Sequence, residues 1–358
     1  MPAVFYGTSS RAGGIRLLEA CAISMTVSRL TYTKLSTFKN CHRKYLNRHE
    51  KLLVPRVQRQ GQRRGGNLGS ILFRVQQKTQ EGKEFALRPF IVDTVENLYF
   101  ERHPSSTEEQ HGFDIEKVKL IEVSLAYISI YGIDHRREIV YDLPLINPLT
   151  GRSMRAFRSA GKIDGIISLG NKHAKIIEDK FVQQIQKVMI DKLPLDDQIT
   201  EYVDALAHEG WTAEVEYRHT RYPGINPNPP KEYKKKDNYP GETLEEFGER
   251  LAADLVGRHS FYFDKQMLMF STEHLEEYRL HRWMVAKEIL ERRRMAKRLG
   301  DAAWFKNPHV CGDYGGCQFL ALCTMQQGAE DLYTVSEIAD PELEITHSDP
   351  DEDDSAVR

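Results

Sequence analysis

Long uncharged apolar runs are missing from this 358-residue chain, so no segment is suited to cross a bilayer as a helix. Residues 1–24 read as a poor secretory signal, because Glu19 interrupts the short apolar stretch from Leu17 to Ile23. Cysteine is scarce: there are five, an odd number, which argues against a disulfide framework in a chain this large. No internal repeat is evident. A net charge is nearly lacking too, at -2, but this balance hides an asymmetry. Residues 330–358 hold eleven acids and only Arg358, a charge of -10, so the first 329 residues carry +8. Between Lys34 and Arg64, ten Lys/Arg face a single acid, Glu50. A basic body suits a polyanionic partner, and a solvated helix face is the plainer alternative.

What is present is a 40% apolar, 28% charged chain, as expected of a globular protein of one large domain or two ordinary ones. Helical spacing runs through Thr31–Leu53, Leu68–Gln80 and Ile115–Ser129, and the region from Arg56 to Asn67 reads as a loop. Strand-like segments follow at Glu138–Ile146, Met154–Ser159, Gly161–Ser168 and Ala174–Phe181. A helix over Asp196–His208 and a strand over Thr212–Tyr217 come next, then a Pro- and Lys-rich loop from Tyr222 to Gly241. Helices over Glu242–Val256 and Thr272–Leu299 complete an α/β core with helical additions. Residues 1–25 read as a disordered or non-native leader, 26–326 as the domain, and 327–358 as a disordered acidic tail.

Residues 161–202 carry the chemistry. Asp164 ends one apolar run, and Glu178 and Lys180 end the next, with the turn-like Gly170-Asn171-Lys172 between them. Residues i and i+2 of a strand share a face, so Glu178 and Lys180 point together and Asp164 can reach them from the partner strand. Two carboxylates converging on one spot are costly unless a cation is bound. With a lysine beside the cation's water, such a site suits phosphodiester hydrolysis, while a charged hairpin edge is the ordinary alternative. Acidic-x-Lys also occurs at Glu81-Gly82-Lys83 and Glu232-Tyr233-Lys234, but there no apolar strand leads in.

Cys311, Cys317 and Cys323 are spaced C-x5-C-x5-C, with glycines between the first two. Three clustered thiols need a fourth donor for tetrahedral zinc or a cubane cluster, and Cys41 is the obvious one. Three separately buried thiols are the alternative.

Together these pieces resemble the RecB-like branch of the PD-(D/E)xK nucleases, which includes the AddB nuclease domain, CRISPR-associated RecB-like exonucleases and phage exonucleases. The likeness covers roughly residues 31 to 325. It rests on Ser36, Phe38, Cys41 and Tyr45, on Gly161 to Asp164, on Glu178 to Lys180, on Gln198 and Tyr202, and on the terminal cysteines. The resemblance implies a restriction-endonuclease-like mixed central sheet flanked by helices, with N- and C-terminal helical additions joined by the four cysteines. It implies Mg²⁺ or Mn²⁺ on Asp164, Glu178 and the Asp179 carbonyl. Lys180 would orient or deprotonate water, and Gln198 and Tyr202 would brace Lys180 or contact the DNA backbone. Cys41, Cys311, Cys317 and Cys323 would hold a [4Fe-4S] cluster, with structural Zn²⁺ as the alternative; Cys21 lies outside the pattern.

One departure stands out. The family's G-x-x-x-H helix matches Gly69 to Phe73, and phenylalanine cannot bind a metal. The expected activity is therefore a metal-dependent DNA nuclease, an exonuclease of recombination, repair or phage DNA processing. A catalytically impaired DNA-binding subunit is the alternative. DNA is the expected partner, joined by a helicase or recombinase, in the cytoplasm. Lys34–Arg64 and Lys231–Lys236 would meet phosphates without reading bases.

Overall fold

A computed structural model describes residues 4–6, 27–56, 64–82, 84–100, 104, 106–133, 137–230, 241–313 and 316–343. Nearly all of the expected leader, with Cys21, lies outside the described residues, as do the Lys231–Lys236 loop and the tail beyond 343. Strands β1 (Val4–Tyr6) and β2 (Ser28–Leu30) precede helices α1 (Tyr32–Asn40) and α2 (His42–Tyr45), a π-helical turn at Leu46–Glu50, and β3 (Leu53–Pro55). Helices α3 (Arg64–Gln80), α4 (Leu87–Tyr99) and α5 (Thr107–Tyr131) lead into strands β4 (Arg137–Ile146), β5 (Ser153–Gly170) and β6 (His173–Val182). Then come α6 (Lys187–Asp191), α7 (Asp197–His208), β7 (Thr212–Arg221), α8 (Leu244–Gly257) and α9 (His259–Tyr262). The last elements are β8 (Phe263–Leu268), α10 (Thr272–Leu299), α11 (Leu320–Cys323) and β9 (Tyr333–Val335).

Seven strands form one sheet in the order β1-β4-β5-β6-β7-β8, with β2 also on β5. The β2–β5 and β6–β7 pairs are parallel and the others antiparallel, so the sheet is mixed. One face packs on α7 through Ile176, Ile199, Tyr202, Val203 and Val215. The opposite face carries α3, α4, α5 and α8, whose Leu68, Ile71, Val95, Val123 and Leu251 form a second cluster. A third cluster joins Phe38 and Tyr45 to Ala286, Ile289 and Trp304.

The helix expected over Thr31–Leu53 is interrupted. Cys41 adopts an extended backbone (φ -162°, ψ 116°), which ends α1 and starts α2. Helix α4 has no counterpart among the expected helices; its Pro89 lies in the first turn, where a missing N–H costs nothing.

The two strands expected on either side of residue 160 are one 18-residue strand, β5. Gly161 does not break it. It sits across from Tyr141 on β4, and a Cβ at position 161 would lie 2.2 Å from the tyrosine Oη. The glycine is there to let that buried ring lie over the strand. Gly161→Ala is therefore expected to cost about 1–3 kcal/mol through overpacking, read as a lower urea midpoint. An unchanged midpoint would show that the Tyr141 ring moves aside freely.

The mixed sheet flanked by helices is present, but the four-cysteine junction of the expected fold is corrected. Among the described residues no group of three or more His, Cys, Asp or Glu is arranged to hold a metal ion. The physical reason lies at Asn307. Its backbone N–H donates to Cys41 Sγ (3.5 Å) and its carbonyl accepts from Cys311 Sγ (3.7 Å), so both of these sulfurs are engaged by the Asn307 backbone. Cys41, Cys311, Cys317 and Cys323 are all free thiols. Burial, followed by the nearby sulfurs of Cys317 and Cys41, pushes the Cys311 thiol up. Cys323 is likewise pushed up by burial, against the Lys306 ammonium. What clasps α1 and α2 to the C-terminal region is aromatic packing, with Tyr45 stacked on Trp304 at 5.7 Å, and Asn307 donating to the Asn40 carbonyl at 2.9 Å.

Candidate active site

The β5–β6 hairpin closes through Asn171 and Lys172, both at positive φ (49° and 57°), the geometry of a two-residue turn that matches strand twist. The turn fixes the register: Gly165 pairs with Ile177 and Ile166 with Ile176. One step further along this ladder, Asp164 stands across from Glu178, and directly opposed residues share a face. Lys180, two residues on, shares it as well. In the parallel pair with β7, Glu178 stands against Tyr217 and Lys180 against His219.

Helix α7 closes over this face. Asp196 caps it by accepting from the Gln198 backbone N–H at 2.8 Å, and Gln198 and Tyr202 lie one turn apart on the side facing the sheet. The result is a continuous chain of hydrogen bonds. The Lys180 ammonium donates to Glu178 Oε1 and to Gln198 Oε1 (2.9 Å), and Gln198 Nε2 donates to the Tyr202 hydroxyl (2.8 Å).

Glu178 is fully buried and its Oε2 has no hydrogen-bond partner among the described residues. Burial pushes its carboxyl up to about 8, helped by the charge of Asp164 and opposed by Lys180. Burial alone would lower Lys180, but the charge of Glu178 outweighs it and holds the ammonium above its ordinary value. Lys180 keeps a third of its side chain exposed, and Asp164 is exposed at the rim. The group that meets solvent is thus the lysine, and the carboxyl lies beneath it.

The expected residues do not all gather here. Asp164, Glu178, Lys180, Gln198 and Tyr202 do. Asp179 is expected to serve through its carbonyl, and its side chain points to the opposite face, where it accepts from the Tyr127 hydroxyl at 2.7 Å. Phe73 is half-buried on α3. The Mg²⁺ or Mn²⁺ site expected on Asp164, Glu178 and Asp179 is corrected on the same ground as the cysteine site, since no such group of donors is formed among the described residues. Its place beside Glu178 is taken by the chain's own cation, Lys180.

Several residues went unrecognised in the sequence. Tyr217 is buried beside Glu178, and burial with Asp196 and Glu178 pushes its phenol up. Tyr32, at the start of α1, is raised by burial and by Asp196, and it feels the charge of Lys180. His219 lies buried beside them. The signal for Tyr217 and His219 was strand alternation from Val215 onward, which the strand end set at Tyr217 cut short.

Among the described residues no helix is long and apolar enough to cross a membrane. The expected membership of the RecB-like nuclease family is corrected as well, because its metal and cysteine centres are not formed. Neither a family model nor a curated protein matches the chain.

Proposed function

We propose that the protein hydrolyses phosphodiester bonds of DNA at the Lys180–Glu178 pair. The observation that carries this reading is the stacked arrangement itself: an accessible ammonium over a fully buried carboxyl, held by Gln198 and Tyr202. The ion pair is the resting state, and in the minor state in which the proton passes from the ammonium to the buried Glu178 a neutral amine is left at the surface. That amine takes a proton from water as the water oxygen bonds to phosphorus. The bond from phosphorus to the leaving sugar oxygen breaks, and that oxygen takes a proton from solvent while Glu178 releases its own, which restores the pair. The regenerated ammonium then faces the phosphate charge.

A polyanionic substrate is supported by the segment between β6 and α7. Lys187 and Lys192 are exposed there, with no ion pair to another described residue, close in sequence to both Lys180 and Gln198. They carry no base-reading pattern, so binding weakens with salt and tolerates any sequence.

End-labelled linear single- and double-stranded DNA, incubated with and without added divalent salt, tests the reading. Wild type is expected to shorten the DNA, and Lys180→Ala to lose roughly 10²–10⁴-fold in rate. Equal rates for both proteins would remove the site from the reaction. DNA that is bound but never shortened would leave a binding protein in place of an enzyme.

A further inference from the structure

Across three strands of the site face, a row of side chains runs from Lys180 to two residues, His219 and Asp264, that have no part in the chemistry above. Lys180 on β6 registers with His219 on β7, and His219 registers with Asp264 on β8. His219 is 1% exposed. Its Nδ1 lies 3.3 Å from Asp264 Oδ2, while Asp264 Oδ1 accepts from Gln266 Nε2 at 2.9 Å. The Tyr131 hydroxyl donates to the Asp264 carbonyl at 3.2 Å, which fixes the strand that carries the carboxylate. The His219 ring leans on Tyr217 at 4.8 Å.

A buried imidazole facing a carboxylate is an expensive way to fill a strand position, where a leucine would pack without desolvating two polar groups. The arrangement does have a chemical consequence. An ionised Asp264 makes Nδ1 the protonated nitrogen and leaves Nε2 with the lone pair. The groups around the ring are Asp264 on β8, Lys180 on β6 and Tyr217 on its own strand. Burial, aided by the Lys180 charge, lowers the ring's proton affinity against the pull of Asp264. The imidazole therefore stays neutral next to an ammonium, so Lys180 has no second cation to avoid.

Resting on the hydrolytic reading of the Lys180–Glu178 pair, we propose that Asp264 and His219 are a positioning dyad for Lys180. The carboxylate fixes the ring as the Nδ1–H tautomer, and the fixed neutral ring keeps the Lys180 chain aimed at Glu178 and Gln198.

Long-range ¹H–¹⁵N spectra of the full-length wild type are expected to show His219 as the Nδ1–H tautomer, neutral at pH 7. Lys180→Met removes a neighbouring cation, so the His219 titration midpoint is expected to rise. In cleavage assays His219→Leu is expected to lower kcat on the order of 10²-fold with KM unchanged. His219→Asn, which keeps a donor for Asp264, is expected to recover most of that loss. The Nε2–H tautomer, a midpoint unmoved by Lys180→Met, or equal losses in the Leu and Asn variants would each overturn the dyad. A wild type that cleaves no DNA would overturn the hydrolytic reading alone, because the tautomer and the titration still decide whether His219 is coupled to Lys180.

Discussion

Replacing Glu178 with glutamine is expected to lower the cleavage rate by roughly 10²–10⁴-fold and to flatten the protein's stability against pH. The two effects share one cause. The carboxyl is fully buried and pushed from an ordinary 4.5 up to about 8. Below pH 4.5 the folded and unfolded chains both hold this proton, and the group contributes no pH dependence. Between 4.5 and about 8 the folded protein keeps a proton that the unfolded chain has released. Stability then falls with rising pH, by up to about 1.4 kcal/mol per unit. Above about 8 both states are ionised and the full cost is present. Glutamine accepts the same Lys180 hydrogen bond and has no proton to lose. Urea unfolding at pH 5, 6, 7 and 8 is therefore expected to show the Gln variant gaining on wild type at each step. Curves that stay parallel would mean that Glu178 is ionised throughout, and the proton transfer from Lys180 would fall with it.

The activity profile has the opposite slope. If Glu178 must receive the proton from Lys180, it competes with solvent protons that occupy it at low pH. Cleavage by wild type is expected to rise through the region of pH 8, and the residual rate of the Gln variant to be flat there. A profile shared by the two proteins would place the titrating group elsewhere.

The sequence made the hairpin legible because three local signals agreed: an apolar run on each strand, a Gly-Asn-Lys turn, and charged residues closing those runs. A two-residue turn leaves one register, and that register sets which side chains meet. Gln198 and Tyr202 were legible for a similar reason, since i and i+4 positions meet on any helix. His219, Asp264 and Tyr217 reach the site only through the parallel β6–β7 pairing and the β7–β8 pairing. Such pairings join strands distant in sequence and leave no local trace. The cysteine expectation failed in the reverse direction. Regular spacing suggested a common centre, but an extended residue at Cys41 and the backbone of Asn307 set where Cys41 and Cys311 point. Spacing constrains sulfurs only within one element, and these come from opposite ends of the chain.

Arg282→Ala is expected to be the most destabilising single change, at about 3–5 kcal/mol. The guanidinium is buried on α10 and donates to Asp204 Oδ2 (2.7 Å) and Ser159 Oγ (3.0 Å), with Glu201 Oε1 at 3.8 Å. Ser159 in turn donates to Glu201 Oε1 at 3.0 Å, which ties β5 into the same network. Removing the cation strands two carboxylates between α7 and α10. Arg279 still holds Asp204 Oδ1 at 2.6 Å, so Glu201 bears most of the loss. Burial already raises the Glu201 carboxyl against the pull of Arg282, and without Arg282 it rises further. An acid whose folded-state proton affinity goes up costs least where both states are protonated, so the deficit is expected to be smaller near pH 4 than at pH 8. Glu201→Gln in the Arg282→Ala background is expected to recover part of it, with urea midpoints as the readout. A pH-independent deficit would assign the loss to packing alone. Because α7 presents Glu201 and Asp204 to this clamp and Gln198 and Tyr202 to the site, loosening one side releases the other. Cleavage by Arg282→Ala is then expected to fall at temperatures where the protein is still folded, through a Lys180 no longer held by Gln198.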